Sequence, residues 1–395
     1  MKVFSVISVV FLLFILLPSL VFSQTIGTNT NGSNLSAIPT SVPFLNITPD
    51  SRSGALGEAG VAITPDVNAN YWNPAKLAFL ENDNDVSLSY SPWLRQLVPD
   101  ISLSYLSYAH KVDDRNSIGA SIRYFNYGTI QFRDINQNDL GTYSPNEFSI
   151  NGSFARKFGQ AFSLGLTVGF VHSNLSNQFF ATGSGQQTKA GNALSAGVSL
   201  FYTKQLQEFG TDGIFSFGTN ISNIGSKISY TDNGPKYFLP ANLKIGAANT
   251  INLDDYNQFT FTVDVNKLLV PTPPIRDTNG NILKGKDDNV SVPSGIFGSF
   301  SGAPGGFSEQ LQEVTISPGL EYWYDQLFAL RAGYFYENPN KGGSHYLTVG
   351  VGLKYTIYTF DFSYLAASQQ NSPLANTLRF TLSANFGGAN NRLKR

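Results

Sequence analysis

The chain has no cysteine. Disulfides, thiolate metal sites, cysteine nucleophiles and a cysteine-linked lipid anchor are therefore excluded. Charge is also sparse, with Asp, Glu, Lys and Arg together 13% of 395 residues, about half the usual share of soluble domains. The formal net charge is -1, so no basic excess draws the protein to nucleic acid. Only His110, His172 and His345 are present. They fall on separate expected strands without ligand spacing, which indicates neither a metal centre nor general-base catalysis. No cofactor is implied, and the protein does not read as an enzyme. After Leu17 no apolar run approaches the ~20 residues of a spanning helix, so membrane embedding must use strands.

What is abundant fits that requirement. Phe (31), Tyr (19) and Gly (37) are plentiful, while mean hydropathy is only -0.10. In Leu378 to Phe386 apolar and polar residues alternate strictly: Leu378, Phe380, Leu382, Ala384 and Phe386 on one face, Arg379, Thr381, Ser383 and Asn385 on the other. Phe259–Asn266, Leu347–Tyr355 and Tyr358–Tyr364 repeat the pattern, which is the period of a strand. Fourteen strands are predicted, near 85–91, 100–112, 116–131, 147–158, 161–174, 191–206, 213–222, 239–251, 257–268, 312–325, 327–338, 344–355, 358–367 and 376–386. Short connections alternate with long ones, as in barrels with tight periplasmic turns and longer outer loops. The fold class is all-β: a transmembrane antiparallel barrel whose outer face meets the lipid bilayer. An even strand number leaves both termini in the periplasm of a Gram-negative cell, with the loops extracellular.

Lys2, the apolar run Val3–Leu17, and Val21-Phe22-Ser23 read as a signal peptide over 1–23. Residues 24–49 are rich in Asn, Thr, Ser and Gly and read as a flexible polar leader. Residues 50–80 are compact and small, a candidate plug within the lumen. Gly54, Gly57 and Gly60 would let its backbone pack closely, and Asn73-Pro74 would open a short helix through Leu80. The barrel is expected over 85–387, with a periplasmic tail at 388–395. The longest connection, 269–311, contains five prolines; a loop of that size is functional or disordered.

Arg123, Lys244, Asp264, Glu321, Arg331, Lys354, Asp361 and Arg379 fall on the inward face. Buried charges need partners, so pairing across the lumen or with the plug is favoured over a selective pore lining.

Two stretches carry a resemblance. Ser53-Gly54-Ala55-Leu56-Gly57-Glu58-Ala59-Gly60-Val61-Ala62, then Asp66 and Asn73-Pro74-Ala75-Lys76-Leu77, resembles the N-terminal hatch of FadL-like barrels. Asn46-Ile47-Thr48-Pro49-Asp50-Ser51-Arg52 and Tyr90-Ser91-Pro92-Trp93-Leu94 look like the PorV (LptO) group of the Bacteroidetes type IX secretion system, which also serves gliding motility. The resemblance implies docking on the type IX translocon barrel, acceptance of cargo bearing a C-terminal signal domain, and delivery to a sortase-like attachment complex. Partner contacts would then fall on outer loops. Trp93, Phe179, Phe180, Tyr237, Phe238, Pro273, Pro274, Phe297 and Phe300 are the candidates there. The alternative is a FadL-type channel for hydrophobic small molecules.

Overall fold

The computed structural model describes residues 37–94, 100–133, 136–175, 188–208, 210–232, 234–367, 374 and 376–387. The expected signal peptide, Phe179, Phe180 and the tail at 388–395 lie outside the described residues.

Fourteen long strands form one closed ring. They are β1 (Asn84–Pro92), β2 (Ile101–Lys111), β3 (Asn116–Tyr127), β6 (Asn146–Lys157), β7 (Phe162–Asn174), β8 (Gly191–Glu208) and β9 (Thr211–Gly225). The second half comprises β10 (Asn242–Asn252), β11 (Asn257–Leu268), β14 (Val314–Tyr324), β15 (Phe328–Tyr336), β16 (His345–Tyr355), β17 (Tyr358–Ala367) and β18 (Thr377–Phe386). Each pairs antiparallel with its sequence neighbour, and β1 closes on β18 from Asn84–Phe386 to Tyr90–Phe380. Closure leaves no unpaired edge, the condition for strands to cross lipid. All fourteen expected strands are present.

The two faces separate as the alternation demands. Outward positions such as Leu166, Val168, Phe261, Leu347 and Phe360 are exposed, whereas inward Ser107, Ser163, Thr262, Thr348 and Ser363 are buried. Among the described residues no helix is long and apolar enough to cross a membrane.

At one end of the ring the connections are tight. Asp113-Asp114-Arg115-Asn116 and Asp254-Asp255-Tyr256-Asn257 share one device. The first Asp accepts backbone N–H bonds from the third and fourth residues and a side-chain bond from the Asn. The Asn116 amide and the backbone donors hold Asp113 below the usual carboxylate range, and the Tyr256 N–H with the Asn257 amide does the same for Asp254.

The other end carries structured excursions. β3 stops at Tyr127, short of the expected 131, because Gly128 takes a positive φ of 80°. A separate hairpin, β4 (Ile130–Arg133) with β5 (Asp139–Tyr143), follows. The 269–311 connection holds a second hairpin, β12 (Ile275–Arg276) with β13 (Ile282–Lys284), and helices Val292–Gly298 and Phe307–Gln312.

One expectation for the leader fails. Residues 41–49 are not free polar chain: Val42, Phe44 and Leu45 are buried with Leu103, Phe125, Val171 and Leu239 in one apolar cluster. Their irregular spacing in a polar stretch carries no period, so burial rather than pattern orders them.

Candidate functional site

The chain from Ser41 to Leu80 is almost wholly buried and contacts inward residues of strands around the ring. It is built from short pieces: a 3-10 turn Pro43–Asn46, helix Ser51–Ala55, helix Ala69–Trp72 and a 3-10 helix Pro74–Phe79. Asp50 caps the first helix through Ser53 N at 2.9 Å and also takes the Trp72 Nε1–H at 2.6 Å. Asn73 caps the last helix through Ala75 N at 3.2 Å.

Such short pieces leave many backbone groups without internal partners. Inward hydroxyls of the barrel supply them. Thr381 accepts from Ser51 N, Thr348 accepts from Gly57 N and donates to Ala55 O, and Ser199 accepts from Ala75 N. Ser163 donates to Ala75 O and Ser107 to Val67 O. Composition alone does not single out these serines and threonines. Their signal was position: each lies on the inward parity of its strand.

The expected inward charges are distributed over the same segment. Glu321 of β14 receives Arg52 in a fork, Nε–Oε2 at 2.9 Å and Nη2–Oε1 at 2.7 Å. Arg331 of β15 meets Glu321 at 2.6 Å and Asp361 of β17 at 2.6 Å. Arg52 also bonds Asp66 at 2.9 Å. Arg379 of β18 pairs with Glu58 at 3.2 Å. Asp264 of β11 accepts from two successive backbone donors, Gly60 N at 2.7 Å and Val61 N at 2.9 Å. Arg123 of β3 donates to Leu45 O at 2.6 Å and lies 4.2 Å over the Tyr71 ring. Lys244 of β10 sits 4.1 Å over Trp72. Lys354 is the exception: it shares the inward parity but stands at the end of β16, exposed. Arg52, Glu58, Asp66 and Lys76 complete these networks; they lie in the stretches that carry the resemblance, which named no charge partner for them. Lys76 donates to Gly60 O at 2.8 Å, and burial pushes its ammonium down to about 8.

The glycines define how closely segment and wall approach. Gly57 has φ +70°, and a Cβ there would lie 2.5 Å from Tyr334 O; one on the facing Gly333 would lie 2.0 Å from Gly57 N. Gly60 abuts Trp72, and Gly54 abuts Arg379. Gly165, Gly218 and Gly319, on three different strands, likewise give way to Ala75, Val61 and Leu56. Pro74 begins its 3-10 helix fully buried.

At the opposite extreme stands the 269–313 excursion. Glu313 anchors it, bonded to Lys267 at 2.6 Å, Thr272 at 2.6 Å and Lys341 at 3.3 Å. Arg276 holds the hairpin end against Asp288 at 2.7 Å and Asp287 at 3.2 Å, and those carboxylates raise its pKa. Between these anchors Phe297 and Phe307 are each 77% exposed, with Leu283, Phe300 and Leu311 also open. Of the other loop candidates, Tyr237 is exposed and Pro273 and Pro274 are half-buried. Two face inward instead: Phe238 is buried beneath Lys227, and Trp93 packs on the Phe44–Leu45 cluster. Phe238 lies against Gly295 of the 269–313 excursion and Trp93 against the inner segment, where apolar area gains more from burial than from exposure.

No curated protein sequence matches the chain. Similar solved structures include the Ralstonia pickettii toluene transporter TbuX, at 13% identity and TM-score 0.46, covering 85% of this chain and 98% of that one. The P. putida toluene transporter TodX has 13% identity and TM-score 0.48, with 86% and 98% covered. A Pseudomonas aeruginosa FadL homologue has 13% identity and TM-score 0.40, with 89% and 99% covered. Similarity at this level says nothing of what the chain carries. Residues 29–275 match the family model "Type IX secretion system protein PorV". That match spans more than half of the chain: the protein belongs to the PorV family and is an outer-membrane β-barrel component of the type IX secretion system.

Proposed function

We propose that the protein is a docking and hand-over platform of type IX secretion. In this reading its long loops face the cell exterior and its termini the periplasm. The loops meet the translocon barrel, accept cargo through the C-terminal signal domain, and present it to the attachment complex. The observation that carries the proposal is the set of exposed apolar side chains Leu283, Phe297, Phe300, Phe307 and Leu311 on one excursion, which Glu313 ties to Lys267 of β11. Exposed apolar side chains on a rigid frame suit a protein interface. The segment 41–80 serves as a hatch that closes the lumen, and the protein performs no chemistry of its own.

The channel alternative would require an apolar passage. A lumen cavity of about 250 Å³ is lined by Asn242, Asp264, Asn266, Thr315 and several further polar groups, which does not favour it.

Phe297→Asp with Phe307→Asp tests the proposal. Co-purification with the translocon from native membranes should fall at least tenfold, and signal-bearing cargo should stay inside the cell. The folded barrel, read from its heat-modifiable gel mobility, should persist. Unchanged co-purification and export would refute the docking role.

A further inference from the structure

Residues Ser41 to Ile47 lie in the ring as a bound peptide would. Val42, Phe44 and Leu45 are buried against Leu103, Phe125, Val171, Ile228 and Leu239. Leu103, Phe125 and Val171 stand near the ends of β2, β3 and β7 that are remote from the tight turns, so this seat belongs to the loop end. The ring also grips the backbone. Arg123 donates to Leu45 O at 2.6 Å and to Phe44 O at 3.2 Å, and Ser41 donates through N and Oγ to Phe238 O, each at 2.9 Å. Main-chain bonds of this kind hold any sequence, while apolar seats choose among sequences.

Strain and spare room set this piece apart from the hatch that follows it. Val42 takes φ +47° and ψ +54°, a left-handed conformation that a β-branched residue adopts only at a cost. Cavities flank the piece: one of about 50 Å³ is lined by Leu45, and one of about 250 Å³ by Ala37, Ile38 and Asn46. Close-packed interiors leave few voids larger than a water. A strained occupant with space beside it is suited to exchange. The wall anchors of residues 50–80 begin with Ser51 N on Thr381, so Ser41 to Ile47 can leave while the remainder stays tied.

We propose that this seat is a peptide-binding site, occupied in cis by Ser41 to Ile47, and that an extended apolar segment of a partner protein takes their place. The incoming segment offers bulky aliphatic or aromatic side chains to the cluster and main-chain carbonyls to Arg123. It carries no charge where it meets the cluster, because those neighbours are apolar. The resident piece lowers the apparent affinity for an outside peptide in proportion to the time the seat is filled. The site is separate from the exposed side chains of the 269–313 excursion, so it stands or falls independently of the docking role.

The test is fluorescence anisotropy on the full chain in detergent, with empty micelles as the blank. The probe is a labelled peptide copying residues 40–48, and the control peptide has Ser in place of its Val, Phe and Leu. The parent should bind the copy saturably but weakly, and the control not at all. Phe44→Ser with Leu45→Ser in the chain vacates the seat and should tighten binding of the copy roughly tenfold or more. Phe44→Ala is the smaller second variant, and heat-modifiable mobility reports whether each is folded. Absence of saturable binding in every folded form overturns the proposal. Equal affinity in the parent and a folded variant also overturns it, since the peptide then sits elsewhere, and so does equal binding of the control.

Discussion

Replacing Arg52 by Met should loosen the inner segment while leaving the barrel assembled. Arg52 forks onto Glu321, a side chain only 1% exposed, and also reaches Asp66. Removing one member of a buried ion pair costs about 3–5 kcal/mol, because the other charge loses its compensation. Glu321 would keep Arg331 at 2.6 Å, so the lower end applies. About 3 kcal/mol corresponds to a ~150-fold rise in the opening equilibrium. The absence of cysteine supplies the assay. Ala62 is fully buried, so Ala62→Cys places one thiol in the segment, and its maleimide-labelling rate reports local opening. Labelling should accelerate about a hundredfold in Arg52→Met. Adding Glu321→Gln should not restore the parental rate, because Asp66 still lacks Arg52 and buried Arg331 then keeps only Asp361 as an anionic partner. Labelling at the parental rate in Arg52→Met would show that this network does not hold the segment.

Three further outcomes follow from the same geometry. Gly333→Val forces a side chain into the Gly57 backbone and should abolish the heat-modifiable folded band, whereas Gly152→Ala, with nothing within 4 Å, should leave it intact. Val168→Arg, on the outer face at mid-strand in β7 and 69% exposed, should cost about 2–4 kcal/mol in lipid-vesicle unfolding; Leu283→Arg on the loop should cost none. Lys76 is lowered from 10.5 to about 8 in the fold, chiefly by desolvation. The unfolded chain thus binds the extra proton between pH 8 and 10.5, and stability rises with pH across that window. Below pH 8 the penalty is fully present, at about 3 kcal/mol for a shift of this size. Lys76→Met should therefore be more stable than the parent near pH 7, with the difference vanishing by pH 10.5 in urea titrations; a pH-independent difference would refute the assignment.

The strands were legible because lipid outside and packed polar groups inside impose opposite demands on successive residues. That pressure writes a period of two into Tyr358–Tyr364 and Leu347–Tyr355 without reference to any partner. The tight turns were legible for a local reason too, since each Asp-Asp-x-Asn unit bonds only to itself. The inner segment obeys no local rule. Arg52 and Glu321 lie 269 positions apart, and Ser51 and Thr381 330 apart, so neither pairing leaves a mark in sequence. Val42, Phe44 and Leu45 were read as leader because three apolar residues in a polar stretch have no period. Loop aromatics suggest interfaces, yet Trp93 packs on the Phe44–Leu45 cluster and Phe238 is covered by Lys227 and the Gly295 helix.

The anchors of the inner segment lie on different sides of the ring, and that placement bears on where function resides. Asn68 and Asn70 hold β1 and β2, Ser199 and Ser163 hold Ala75 from β8 and β7, and Asp264 holds Gly60–Val61 from β11. Glu321 holds Arg52 of the first helix from β14, and Arg379 holds Glu58, just beyond that helix, from β18. Each neutral bond contributes about 1 kcal/mol net, and the charged ones more. A segment held from one side could swing away on a hinge. This one must break its bonds to opposite walls together, while a ring of paired strands cannot widen without losing ladder bonds. Movement of the segment as a routine gate would therefore oppose most of what orders the lumen. The loops of the 269–313 excursion carry no such constraint, because their exposed apolar side chains are free to engage a partner without disturbing Glu313 or Arg276. On the proposed reading, this contrast between a segment tied to several walls and exposed apolar loop side chains suits docking better than routine gating.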